Sequence, residues 1–101
     1  MSSAKISRRA QRDLQAIRDY IAIENPEAAE RVWHAFLDTA DLLARNAQIG
    51  RLIVNVNPRH ADVRWLVMPR FRNYLLFYRP VRDTILVLRV LHASRDWTRF
   101  F

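Results

Sequence analysis

Arg72-Asn-Tyr-Leu-Leu-Phe-Tyr-Arg79, a break at Pro80-Val-Arg-Asp83, and then Thr84-Ile-Leu-Val-Leu-Arg-Val-Leu-His92-Ala-Ser-Arg-Asp96 is the stretch on which the fold turns. Both runs are rich in aromatic, β-branched and other apolar residues, and each has strand length. Pro80 has no N–H to give to a ladder, so it marks the end of the first strand, and the four-residue break containing Asp83 suits a hairpin loop. Thr84–Leu91 is apolar on both faces except at Arg89, as expected of a strand in the middle of a covered sheet. An arginine inside that run requires a partner or a wet concave face.

Upstream, Val63-Arg-Trp-Leu-Val-Met68 reads as another strand, closed by Pro69. The links between these strands are too short for crossovers, so the three form an antiparallel meander. Ala47–Asp62 is a connection; its Gly50, the only glycine, is expected to serve a turn or helix end, and Leu52-Ile-Val-Asn-Val56 to pass along the sheet edge or form a short strand.

The first half is helical. Ala10, Leu14, Ile17 and Ile21 recur at helical spacing behind Ser7, a good N-cap, giving a helix over about residues 8–24. Asn25-Pro26 divides it from a second helix over about residues 26–46, with Ala29, Val32, Trp33, Phe36, Ala40 and Leu43 on its apolar face. Glu27–Arg31 and Asp41–Arg45 are i,i+4 pairs in the favourable order. So short a turn makes the helices an antiparallel hairpin. Ala4-Lys-Ile6 is a candidate first strand. The expected fold is a single α+β domain over 1–101: a short first strand, a helical hairpin, then a three-stranded antiparallel meander with the helices on one face of the sheet.

Charge is unevenly spread. The chain carries 17 basic against 10 acidic residues, a net +7, and 16 of the basic residues are Arg. Residues 1–50 balance to zero, so the whole excess lies on the half read as sheet. Arginine forks match carboxylates and phosphates, and the implied partner is acidic: nucleic acid, an acidic protein segment, or both. With no cysteine, disulfides and thiolate metal sites are excluded. His34, His60 and His92 have no metal-site spacing, and one glycine cannot build a phosphate-binding loop, so neither metal nor cofactor is expected. The N-terminal residues lack the apolar stretch of a signal peptide, and no window approaches the ~18 apolar residues of a membrane span. Together with the missing cysteines this fits the cytoplasm.

What remains is a set of arginines on or beside strands, Arg64, Arg72, Arg79, Arg89 and Arg95, with Tyr74, Tyr78 and His92. Strict alternation puts Arg64 on the face of Leu66 and Met68, puts Arg89 on the face of Val87 and Leu91, and puts His92 on the other face. Arg89 is either functional or a structural ion pair with Asp13, Asp19 or Asp62.

The run Ala10-Gln-Arg-Asp-Leu14-Gln-Ala-Ile17-Arg-Asp-Tyr20-Ile21-Ala22 and then Asn25-Pro26-Glu-Ala-Ala29-Glu-Arg31 resembles the helical hairpin of the ParE/RelE toxin superfamily. Gly50-Arg51, Val63-Arg64, Tyr74-Leu-Leu-Phe-Tyr78-Arg79 and Ile85-Leu-Val-Leu-Arg89-Val90-Leu91-His92 continue the likeness in order, and Arg95-Asp96-Trp97 resembles the C-terminal signature. The resemblance implies a bacterial type II toxin, neutralised in a hetero-oligomer by a cognate antitoxin with an acidic, flexible tail. ParE-like members poison DNA gyrase and have no evident catalytic centre. RelE-like members cut mRNA on the ribosome with basic residues and a late Tyr or His. Here the Leu-His-Ala-Ser-Arg-Asp-Trp ending is similar to the ParE branch, which implies a gyrase inhibitor and not an enzyme. The alternative is a ribosome-dependent mRNA endoribonuclease with Arg64, Arg89 and His92 as the catalytic set. A further reading is an inert partner of a DNA-binding antitoxin. Expected contact residues for target or antitoxin are Arg64, Arg72, Arg89, Trp97, Phe100 and Phe101. The aromatic tail has two readings, one in which it folds back over the helices to complete the core and one in which it stays exposed for an interface.

Overall fold

The computed structural model describes residues 3–54 and 57–101, so Met1, Ser2 and the Asn55-Val56 end of the Leu52–Val56 run lie outside the described residues. Lys5–Ile6 forms β1, Arg8–Ala22 α1, Pro26–Arg45 α2, Arg51–Leu52 β2, Arg64–Val67 β3, Tyr74–Val81 β4 and Thr84–His92 β5. Two short 3-10 turns, Pro58–His60 and Trp97–Arg99, complete the order. The five strands make one sheet in the order β1-β5-β4-β3-β2, and the helical hairpin covers one face, as expected of this α+β arrangement. The expected meander is β3-β4-β5. It gains β2 antiparallel at one edge and β1 parallel to β5 at the other.

Both helices begin as their caps dictate. The Ser7 hydroxyl accepts from the Ala10 N–H at 3.0 Å and donates to the Leu88 carbonyl at 2.9 Å, so the cap also ties α1 to β5. The Asn25 side chain accepts from the Ala28 N–H, with Pro26 in the first turn of α2. The expected Glu27–Arg31 and Asp41–Arg45 pairs are not among the ion pairs of the described residues. Instead Arg18 crosses between the helices to Glu30 at 2.9 Å, with its guanidinium 5.0 Å from the centre of the Trp33 ring. A cross-helix pair that also lies on an aromatic face beats an exposed pair along one helix.

Pro80 does not end β4. It sits inside the strand opposite Ile85, and the hairpin closes at Val81–Thr84 around Arg82 and Asp83. The proline is tolerated because β3 stops pairing at Arg64–Tyr78, so the end of β4 has a neighbour on one side only. At the other end β4 starts at Tyr74, not Arg72; Arg72 and Asn73 form the turn from which the Tyr74 N–H reaches the Phe71 carbonyl.

Alternation along β5 is broken by a bulge. Phe77 faces Arg89 but Tyr78 faces Val87, which leaves Leu88 as the extra residue. Val87 and Val90 therefore both join the helix-side core with Leu76, Tyr78 and Ile85, while Leu91 lies with Phe77 and Val63 on the opposite face. Arg89 and Leu91 share a face as alternation expects, and His92 is on the other, edge-on to Tyr74, which packs against the helix-side core; Val87 alone is corrected, placed by the bulge on the helix side. Backbone groups freed by the bulge find partners on α1. Leu88 O accepts from Ser7, and the Val90 N–H donates to Asp13 Oδ2 at 3.0 Å.

The second face of the sheet has its own cluster. Ile53, Val63, Phe77 and Leu91 are buried there, with Trp65, Leu88, Trp97, Phe100 and Phe101 packed around them. The tail thus folds back over the face away from the helices, not over the helices. Phe101 stacks on Phe77 at 5.0 Å, and its backbone oxygen accepts from the Asn57 N–H at 3.2 Å and His60 Nδ1 at 3.1 Å.

Candidate functional site

Arg89 stands beside the β5 bulge, opposite Phe77. Its Nε and Nη2 donate to the two oxygens of Asp13 at 2.8 and 2.9 Å, with side chains only 11% and 13% exposed. The Asp13 carboxylate holds the Arg89 pKa above its usual value against the opposing effect of burial. The other side of Arg89 lies 4.5 Å from the centre of the Phe100 ring, and Arg95 lies 5.0 Å from the same ring. Of the partners considered, Asp13 is the one engaged; Asp62 instead grips Arg79 through Nε and Nη2.

Arg64 is also occupied. Its Nη1 donates to the carbonyls of Gly50 at 2.7 Å and Gln48 at 3.2 Å, and its Nη2 to Gln48 Oε1 at 2.6 Å. It pins the chain leaving α2 to β3. Beside it the buried Tyr78 hydroxyl accepts from the Gly50 N–H and donates to the Ala47 carbonyl, both at 2.8 Å. Burial raises the Tyr78 pKa, partly offset by the Gly50 N–H and by Arg64. Gly50 is required here by close approach and not by a turn: a Cβ on it would lie 2.6 Å from the Tyr78 hydroxyl oxygen, and no described glycine has a positive φ.

Arg72 is exposed in the turn between β3 and β4, at the opposite end of β3 from Arg64, so these two expected contact residues are not brought together. His92 is exposed. Its Nδ1 lies 3.1 Å from the Ser94 backbone nitrogen and 2.7 Å from the Ser94 hydroxyl oxygen. It lines an open groove of about 540 Å³ with Asp13, Tyr20, Tyr74 and Arg95. Burial, and then the nearby Tyr20, push the Tyr74 pKa up, so its hydroxyl is a proton donor at neutral pH. Asp13 therefore touches both Arg89 and the groove that holds His92. Sequence reasoning missed Asp13 and Tyr20 as members of a site because both read as the polar face of a helix. Trp97, Phe100 and Phe101 are each half-buried on the second face of the sheet.

Among the described residues no group of three or more His, Asp or Glu is placed to hold a metal, and no helix is long and apolar enough to cross a membrane.

A helical hairpin on one face of a mostly antiparallel sheet, with arginines gathered on the strands and tail, is the arrangement that the resemblance to the ParE/RelE toxins implied. Residues 4–97 match the ParE toxin of type II toxin-antitoxin system, parDE, and the chain belongs to that family. It is 30% identical over 93 residues to "Toxin RelE3" of Caulobacter vibrioides, covering 92% of this chain and 96% of that protein. It is 36% identical over 87 residues to "Toxin RelE2" of the same organism, covering 86% and 90%. Its fold is similar to a chain of the solved "Chromosomal ParDE TA system from P. aeruginosa", with a TM-score of 0.72 and 27% identity over 91% of this chain and 96% of that one. It is thus a type II toxin, and its family implies an antitoxin partner.

Proposed function

We propose that this chain is a cytoplasmic, ParE-like growth-arresting toxin that inhibits DNA gyrase, held inactive in a hetero-oligomer with an acidic cognate antitoxin. One observation carries the choice of target: the arginines that RNA cleavage would need at a phosphate are committed to the fold. Arg89 is closed on Asp13, and Arg64 on the carbonyls of Gly50 and Gln48. Phosphoryl chemistry needs preorganised N–H donors aimed at the phosphate, together with a base and an acid on either side of it; Arg64 spends Nη1 and Nη2 on the Gly50 and Gln48 segment, and Arg89 presents no paired fork once Asp13 has taken Nε and Nη2. A protein that acts by binding has no such need.

The second reading is a ribosome-dependent endoribonuclease. The groove bearing Asp13, Tyr20, Tyr74, His92 and Arg95 favours it, because it gathers proton-moving side chains with a cation. Brief induction in cells, scored for both chromosome breakage and mRNA ends, separates the two. DNA breaks with intact mRNA are expected. Codon-associated mRNA ends with intact DNA overturn the gyrase reading, and growth arrest with neither overturns both.

A further inference from the structure

On the face of the sheet away from the helices, a groove of about 360 Å³ opens where four parts of the chain converge. α1 contributes Arg9, β4 Arg79, β5 Arg89 and the tail Arg99; His60 joins them, and no Asp or Glu side chain is among the described residues that line the groove. Arg79 and Arg89 are braced from behind. Asp62 and Asp13 each take Nε and Nη2, which leaves Nη1 of both guanidiniums without a partner among the described residues. Arg9 and Arg99 are exposed, with no hydrogen-bond partner among the described residues. Counting the two bracing carboxylates against four arginines leaves a surplus of two positive charges around one concavity.

We propose that this groove binds the phosphate backbone of duplex DNA, a function that goes beyond the choice of protein target. Guanidinium groups held in place by carboxylates present their remaining N–H groups to phosphate oxygens at little entropic cost. The aromatic rings nearby are already engaged. Phe101 stacks on Phe77 with His60 edge-on to it, and Phe100 packs against Arg89 and Arg95. The groove offers charge without a free stacking face, so it reads the backbone and not the bases. The open strand edges beside the groove are short: β1 has two residues, and β4 lacks a second neighbour only from Arg79 to Val81, where Pro80 has no N–H to give, so an extended acidic peptide has little backbone to pair with. The duplex is favoured over a single strand by its higher charge density.

Binding is read by fluorescence anisotropy of the purified full chain with a labelled duplex of about 20 base pairs, over a range of salt concentrations. Arg9→Gln with Arg99→Gln is expected to weaken binding about tenfold at ~0.1 M salt and to lower the salt slope by about 1 to 2. Arg31→Gln with Arg45→Gln removes the same charge from exposed sites on α2 and is expected to cost far less. The single variants Arg9→Gln and Arg99→Gln serve if the double variant melts early, each expected to give part of the loss. Equal losses from the two double variants would mean diffuse attraction and overturn the proposal. So would unchanged binding by the groove variants, stronger binding of single-stranded RNA than of the duplex, or groove-dependent binding of a glutamate-rich peptide without binding of DNA.

Discussion

Asp13 and Arg89 are 76 residues apart in the chain and form a nearly dry bidentate pair, and the same carboxylate accepts the Val90 N–H. One side chain on α1 therefore satisfies both the charge and a loose backbone group of the β5 bulge. Asp13→Ala strands both and is expected to cost about 3–5 kcal/mol in urea unfolding. Asp13→Leu with Arg89→Met, an apolar pair of similar volume, is expected to recover most of that loss. A cost below about 1 kcal/mol for Asp13→Ala would show that water replaces the carboxylate freely.

Gly50 and Tyr78 meet too closely for any side chain. Gly50→Ala drives a methyl group into the phenol, whose ring carbon Cε1 lies 2.7 Å from that Cβ position. The expected loss is about 1–3 kcal/mol, measured by chemical denaturation. Tyr78→Phe removes only the hydroxyl part of the clash in Gly50→Ala, because Cε1 remains, and it orphans the Gly50 N–H and Ala47 carbonyl, so the double variant stays below wild type.

The same tyrosine makes the fold sensitive to alkali. Its pKa is raised above 10.0, so the folded chain holds the phenolic proton more tightly than the unfolded chain. That stabilisation is complete below the unfolded value and is lost as pH rises through the folded one. Stability is expected to fall more steeply above about pH 10 in wild type than in Tyr78→Phe, which retains only the contribution of Tyr74. Parallel pH profiles for the two proteins would contradict this.

Arg70 follows Pro69 with a φ of 70°, in the left-handed region, while the Phe71 N–H closes the turn onto the Met68 carbonyl. A side chain there is strained, and glycine is the residue such a turn prefers. Arg70→Gly is expected to raise stability by about 0.5–1 kcal/mol, seen as a higher denaturation midpoint. A lower midpoint would mean that Arg70 contacts outweigh the strain.

The tail is expected to be structural. Deleting residues 99–101 uncovers Phe77 and removes the partners of Asn57, His60 and Arg89. The expected loss is about 3 kcal/mol by thermal or urea unfolding. A truncated chain of normal stability would show that Phe100 and Phe101 are held ready for a partner.

The helical hairpin was legible because its signals are local: Ser7 and Asn25-Pro26 mark its starts, and the spacing of the apolar residues marks its buried face. The meander was legible from strand-length runs separated by short links. Three features were not. The extra residue in β5 is Leu88, which looks like any strand residue, and no glycine marks the bulge, so alternation carried back from Arg89 misassigned Val87. Pro80 looked like a terminator because the early end of β3, which makes it tolerable, is a property of the assembled sheet. The arginines were legible as a group and Asp13 was one of three candidate partners for Arg89, but the choice among the three and the pairing of Asp62 with Arg79 were not, because both carboxylates reach in from remote segments.

The pairing of β1 with β5 sets the order in which the chain matures. Ser7 closes on Leu88 and Lys5 stands opposite Leu86, so these residues wait for partners made 81 residues later. At ordinary rates of synthesis that wait is about 4–16 s, during which α1 has no β5 on which to bury Leu14. Such remote contacts also slow the final closure. A message cut short before β5 yields a chain in which Asp13 has no Arg89 and β1 has no strand to pair with. Folding, and with it any toxicity, waits for β5, and an antitoxin already present meets each new copy as it closes.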